Sequence, residues 1–164
     1  MKLKHPFNIA VIGAMGQGKT TFIKNLLSNY DPKNIIVFDP NSEYKEFSNN
    51  IFYDKEKFLK KVKKVKNKIV VFEEATAFFY GKNDDFINLL IRMRHLNVAS
   101  IFVFHSIRSL PVFIFDFLNY MFIFKTNDRP SLILSKYKGV FTEKDLEKIQ
   151  NLPKYKALTI TLLG

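Results

Sequence analysis

Cysteine is absent from this 164-residue chain, which excludes a disulfide framework, thiolate metal sites and thiol-based catalysis. A chain without thiols suits a reducing cytosol. The opening stretch, Met1 to Pro6, has no long apolar run of the kind an export signal needs, and it leads directly into a strand-like segment. There is no internal repeat, no low-complexity linker, and no spacing typical of zinc, helix-turn-helix or RNA-recognition modules. Sequence-specific base reading is therefore unsupported. Acidic residues are scarce beside basic ones, 15 against 26, for a net charge of +11. Such a field attracts polyanions, nucleic acid first and an acidic membrane surface second.

Apolar material is plentiful. At 47% hydrophobic residues with 18 Phe, residues 1–164 can build one full core, and a single domain is expected. The most apolar region, 101–124, has the length of a bilayer span, but His105, Arg108, Pro111, Asp116 and Asn119 interrupt it. It reads as two buried strands around a short helix.

The most informative segment is Gly13, Ala14, Met15, Gly16, Gln17, Gly18, Lys19, Thr20, which fits G-x-x-x-x-G-K-[ST] directly after the apolar run Phe7 to Ile12. A strand ending in a glycine-rich turn exposes successive backbone N–H groups. The following helix, through Thr21, Phe22 and Ile23, aims its positive end at the same point, so a polyphosphate is held without nearby carboxylates. Lys19 would reach the β- and γ-phosphates of ATP, and the Thr20 hydroxyl would take one position on Mg²⁺.

Short apolar runs alternate with helical patterns, which predicts an α/β fold with a mainly parallel central sheet covered by helices on both faces. Strands are expected at 7–12, 34–38, 69–73, 99–105, 120–125, 131–135 and 156–162, the last two as an antiparallel extension at the sheet edge. Helices are expected at 19–29, 55–66, 84–95, 111–117 and 143–150, the last opened by Thr142 with Asp145 in a capping box.

Lys68 to Glu74 reads as a buried strand ending in two carboxylates. In nucleotide hydrolases such a strand end holds Mg²⁺ through water with one acid and polarises the attacking water with its neighbour. Glu73 takes the metal position and Glu74 that of general base; a solvated pair opening a loop is the alternative. Strand two ends in Asp39, Pro40, Asn41, Ser42, Glu43, Tyr44, a buried strand followed by an Asp-Pro turn.

Together with the phosphate loop and the acidic strand end, this D-P-x-x-E-Y segment resembles the HerA/FtsK superfamily of P-loop ATPases, across about Phe7 to Asp128. The resemblance implies a RecA-like ASCE fold, a homo-oligomeric ring and DNA pumping, as in translocases, viral genome-packaging ATPases and zonula-occludens-toxin-like phage proteins. It also implies an arginine reaching the neighbouring subunit's γ-phosphate, with Arg94 the first choice and Arg92 the second; a surface salt bridge or helix-dipole contact is the plainer reading. A polar sensor is implied at the end of the next strand, usually Gln; here His105 and Ser106 stand instead, and His105 is the candidate, with a satisfied core histidine as the alternative.

The run Lys57 to Lys68 reads as a solvated helix face; contact with DNA there would be to phosphates and salt-sensitive. The expected function is thus an ATP-hydrolysing DNA translocation or packaging motor in the cytoplasm of a host or cell, or associated with a virion, with a capsid or membrane complex as a further partner. The alternatives are an assembly or extrusion switch and a small P-loop nucleotide kinase.

Overall fold

Short runs of β-branched and aromatic residues buried on both sides suit a parallel sheet, because helices must cover both of its faces. The computed structural model describes residues 3–79 and 84–162. Its strands are β1 (Asn8–Ile12), β2 (Ile35–Phe38), β3 (Ile51–Phe52), β4 (Ile69–Phe72), β5 (Ala99–Phe104), β6 (Tyr120–Phe124) and β7 (Ala157–Thr161), joined in one sheet of order β3-β2-β4-β5-β1-β6-β7. Every neighbouring pair is parallel except β6 and β7. The helices are α1 (Lys19–Leu27), α2 (Lys55–Val62), α3 (Asp84–His95), α4 (Pro130–Lys136) and α5 (Glu143–Gln150).

The period-2 alternation of strand side chains divides the core. Ile9, Val11, Val37, Val71, Ile101 and Val103 pack with Ile23, Leu26 and Leu27 of α1. Their neighbours Ala10, Ile12, Phe38, Phe72, Phe102 and Phe104 face the opposite way, onto α2, α3, α4 and α5. That second layer is aromatic: Phe72 stacks on Phe102 at 4.9 Å, and Phe58 of α2 meets Phe72 edge-on at 5.2 Å. The expected cap of α5 is present, with Thr142 and Asp145 bonded reciprocally.

Several expectations need correction. Residues 131–135 form part of α4 instead of a strand: Pro130 presets the first helical turn, and Ile133 and Tyr137, four apart, are buried while Leu132 is half exposed. The antiparallel partner of β7 is accordingly β6. Residues 111–117 make only a 3-10 segment, Val112–Asp116, which Pro111 keeps separate from a second one at Ile107–Ser109. Strand β3 was not expected; its two residues are too few to show a period. Helix α2 also stops at Val62, leaving Lys63 to Lys68 as a connection. The region 101–124 is β5, the two 3-10 segments and β6, and no helix among the described residues is long and apolar enough to cross a membrane.

Candidate nucleotide site

Because β1, β4 and β5 are parallel, all three end at the same edge of the sheet, and β5 lies between the other two. The residues after Ile12, Phe72 and Phe104 are therefore neighbours. Gly13 N–H donates to Phe104 O at 3.1 Å, and Ala14 N–H to Lys125 O at 3.0 Å, which anchors the loop on both flanking strands. Glycine is required at 13 because a Cβ there would stand 2.7 Å from Phe124 Cβ. Gly16 (φ 74°) and Gly18 (φ 104°) adopt the left-handed conformation that turns the chain into α1. The N–H groups of Met15, Gly16, Gly18, Lys19, Thr20 and Thr21 find no acceptor among the described residues. Gathered at one helix N-terminus, they form an anion cradle.

The Lys19 ammonium lies in the mouth of that cradle. It donates to Gly13 O (2.8 Å) and Ala14 O (3.2 Å) and stands 3.4 Å from His105 Nδ1. Burial pulls Lys19 below the ordinary lysine value, while Glu73, Glu74 and Glu43 push it back up. An ammonium can only donate, so His105 accepts at Nδ1 and carries its proton on Nε2. That nitrogen lies 2.7 Å from Glu74 Oε1 and donates to it. One hydrogen-bonded chain thus joins the phosphate-loop lysine, the histidine at the end of β5 and the second carboxylate of the acidic strand. With side chains 43% and 35% exposed, the His105–Glu74 pair adds little stability; it sets orientation. Glu74 is held in the left-handed conformation (φ 55°, ψ 48°), which costs a non-glycine residue about 1–2 kcal/mol.

Glu73 points inward and is 3% exposed. It accepts from the Tyr44 hydroxyl at 2.8 Å. Burial pushes the Glu73 carboxyl up to about 7, against the pull of that hydrogen bond. Burial, followed by the Glu73 charge, pushes the Tyr44 hydroxyl far up, so it remains a donor. Tyr44 and Glu43 owe their positions to Asp39, whose two oxygens accept the N–H groups of Glu43 and Tyr44, each at 2.9 Å. Glu43 in turn accepts from Thr20 Oγ1 at 3.2 Å. Thr20, Glu43 and Glu73 supply hard oxygen donors of the kind Mg²⁺ takes. No group of three or more His, Cys, Asp or Glu side chains among the described residues forms a metal cage.

Gly13 to Thr21, Lys19, Glu73, Glu74 and His105 are therefore brought together as expected. Arg92 and Arg94 are not. Both are exposed on the last turns of α3, and Arg94 lines a cavity with Pro6, Asn8 and Asn119 at the opposite edge, where the strands begin. Sequence reasoning missed Glu43 and Tyr44 as site residues, although the D-P-x-x-E-Y segment had already been singled out. It also missed Tyr155, whose ring covers Gly18; no local pattern marks it.

A family model described as "Helicase HerA, central domain" matches residues 7–152. Among solved structures, the genome packaging NTPase B204 from Sulfolobus turreted icosahedral virus 2, in complex with ATP-gammaS, is similar at 20% identity and TM-score 0.79, over 98% of this chain and 94% of that one. B204, the DNA-packaging ATPase from Sulfolobus Turreted Icosahedral Virus, is similar at 20% identity and TM-score 0.77, over 97% and 94%. EssC (ATPases 2 and 3) from Geobacillus thermodenitrificans is similar at 18% identity and TM-score 0.55, over 95% of this chain and 39% of that one. At these identities the likeness speaks to the fold alone. No curated protein sequence matches.

Proposed function

Because the chain belongs to the family of P-loop ATPases defined by the central domain of the helicase HerA, we propose that it is a motor subunit that hydrolyses ATP to move or package DNA. The observation that carries this reading is the hydrogen-bonded chain from Lys19 through His105 to Glu74. It links the group that would hold the β- and γ-phosphates to the carboxylate that would take a proton from water. A change at the γ-phosphate is thereby felt at the candidate base.

In this reading the cradle from Met15 to Thr21 binds the polyphosphate. Thr20 and Glu73 would hold Mg²⁺, which when bound would neutralise charge on the phosphoryl oxygens. Lys19 leaves its carbonyl partners for the nucleotide, Glu74 orients and deprotonates the attacking water, and His105 holds Glu74 until a γ-phosphate competes for the ring. Arg94, with Arg92 second, would act on a neighbour's nucleotide in a homo-oligomeric ring. The cargo would be gripped through its phosphates; Lys57, Lys60, Lys61, Lys63 and Lys64 are exposed around α2 and suit a salt-sensitive contact without base reading. The similar structures described as genome-packaging or DNA-packaging enzymes support such a cargo; a capsid or a membrane complex would be the further partner, and the cytoplasm of a host or cell, or the virion, the setting.

The test is steady-state ATP hydrolysis with and without single- and double-stranded DNA over a salt series, with oligomer mass recorded in the same samples. Stimulation that fades with salt and tracks a ring-sized species is expected, and Glu74→Gln should keep ATP bound while losing about 10² or more in turnover. Turnover by a monomer, indifferent to DNA, would overturn the motor reading.

A further inference from the structure

The phosphate cradle is only half of a nucleotide site, and the chain near β7 is built against the other half. Tyr155 backbone N–H donates to Gln17 O at 3.1 Å, which ties this stretch to the loop before Gly18. Tyr155 itself is left-handed, with φ 65°, an uncommon and costly conformation for a bulky residue. The turn lays the Tyr155 ring on Gly18: a Cβ at 18 would stand 2.5 Å from Tyr155 Cδ1. Yet the residue remains 60% exposed. Lys154 Nζ lies over one face of the ring, 5.1 Å from the centroid. A strained backbone thus presents a largely exposed aromatic ring beside the phosphate loop, where burial would have stabilised it more.

Two cavities meet at this ring. One, of about 200 Å³, is lined by Gly16, Lys19, Thr20, Glu43 and Tyr155 and takes in the phosphate cradle. The other, of about 430 Å³, runs between α1 and the start of β7, with Tyr155, Phe22, Asn25 and Thr159 on its walls. Gly18, Thr21 and Tyr155 border both. The second falls within the ~300–1,000 Å³ range of small-molecule sites and has their usual mix of apolar walls and a few polar groups. The Asn25 side chain is exposed and offers both a donor and an acceptor to a base edge.

We propose that the cavity between α1 and β7 is the nucleobase pocket of this protein, with Tyr155 as the aromatic platform on which the base of a nucleoside triphosphate stacks. This rests on the phosphate-loop reading and adds to it the half of the ligand that the loop does not recognise. A ligand whose phosphates fill the smaller cavity has its nucleoside end directed past Gly18 along the Tyr155 ring. Stacking is tolerant of base identity because every base has a π face, and purines, with the larger face, gain most.

Calorimetric titration of the full chain with Mg²⁺-ATP, ribose 5-triphosphate and inorganic tripolyphosphate separates the two halves. The wild type should bind ATP about tenfold more tightly than either base-free ligand. Tyr155→Ala should abolish that difference by weakening ATP about tenfold more than tripolyphosphate, and Tyr155→Phe should retain it. Melting curves without ligand would check that both variants are folded. Equal wild-type affinity for all three ligands would overturn the base pocket and leave the phosphate loop standing. A Tyr155→Ala variant that lost ATP and tripolyphosphate equally would reduce Tyr155 to a support for the loop and also overturn it. Failure of the wild type to bind any of the three would overturn the phosphate-loop reading, and the base pocket with it.

Discussion

A carboxyl that is 3% exposed and ionises only near 7 makes Glu73 a measurable cost to the folded chain. Unfolded, its pKa is about 4.5. Between those values the native state binds more protons than the unfolded one, so stability falls as pH rises through the window. Below about 4.5 the group contributes nothing, and above 7 the full penalty is present. Thermal stability of the wild type, measured against Glu73→Gln, should therefore drop by on the order of 3 kcal/mol from pH 4.5 to 7 and then level off. A difference that stays flat across the window would mean that Glu73 ionises as an exposed carboxyl does. Such a group suits a cationic ligand, because a bound Mg²⁺ favours the charged form that burial disfavours. Glu73, Glu74, Lys19 and Thr20 were legible in the sequence because the phosphate-loop spacing and an apolar strand ending in acids are local patterns. Glu43 and Tyr155 were not, since each reaches the loop only through the packing of a distant turn, Glu43 at 23 residues from Thr20.

At the scale of elements, the turn after β2 works as one device. Asp39 is wholly buried, and its two acceptor bonds to Glu43 and Tyr44 fold the D-P-x-x-E-Y segment so that Glu43 faces Thr20 and Tyr44 faces Glu73. Removing the carboxylate leaves the buried Tyr44 N–H without a partner and frees Glu43. Asp39→Ala should then cost about 2–4 kcal/mol in denaturant unfolding. It should also weaken Mg²⁺-dependent nucleotide binding more than metal-free binding, because Glu43 beside Thr20 and the Tyr44 partner of Glu73 both lose their support. Equal weakening with and without Mg²⁺ would confine Asp39 to a structural role. The elements the sequence misassigned share one physical feature. Ser131 to Ser135, Val112 to Asp116 and Ile51 to Phe52 are short apolar runs in which neither the 2.0 nor the 3.6 period is expressed over enough residues to decide. Tertiary contacts settled them, such as Tyr137 donating to Ile107 O and Leu110 O, which seats α4 on the segment after β5. Runs of similar length that are rich in β-branched and aromatic residues and buried almost throughout, β1, β5 and β6, were recognisable on their own.

For the whole molecule, the parallel sheet has two ends with different roles. The edge where β1, β4 and β5 finish carries the cradle, His105 and both glutamates, whereas Arg94 stands at the edge where β1 and β6 begin. In a lone subunit that separation gives Arg94 no part in its own phosphate site. In a head-to-tail ring, one subunit's starting edge can face the next subunit's finishing edge, and the separation becomes a reason for assembly. Arg94→Ala should then lower DNA-stimulated turnover by about 10³ or more while ATP still binds, and Lys19→Ala should abolish nucleotide binding. An equal mixture of the two inactive proteins decides between a role across the interface and one within the subunit. If subunits exchange at random, about one interface in four pairs an intact Lys19 with an intact Arg94 from its neighbour. Activity approaching a quarter of wild type is expected if the interfaces act independently, and repeating the mixture with Arg92→Ala tests the second arginine. An inactive Arg94→Ala mixture that still forms rings would exclude Arg94 as the trans-acting group, because every neighbour needed for complementation would be present and unable to supply it.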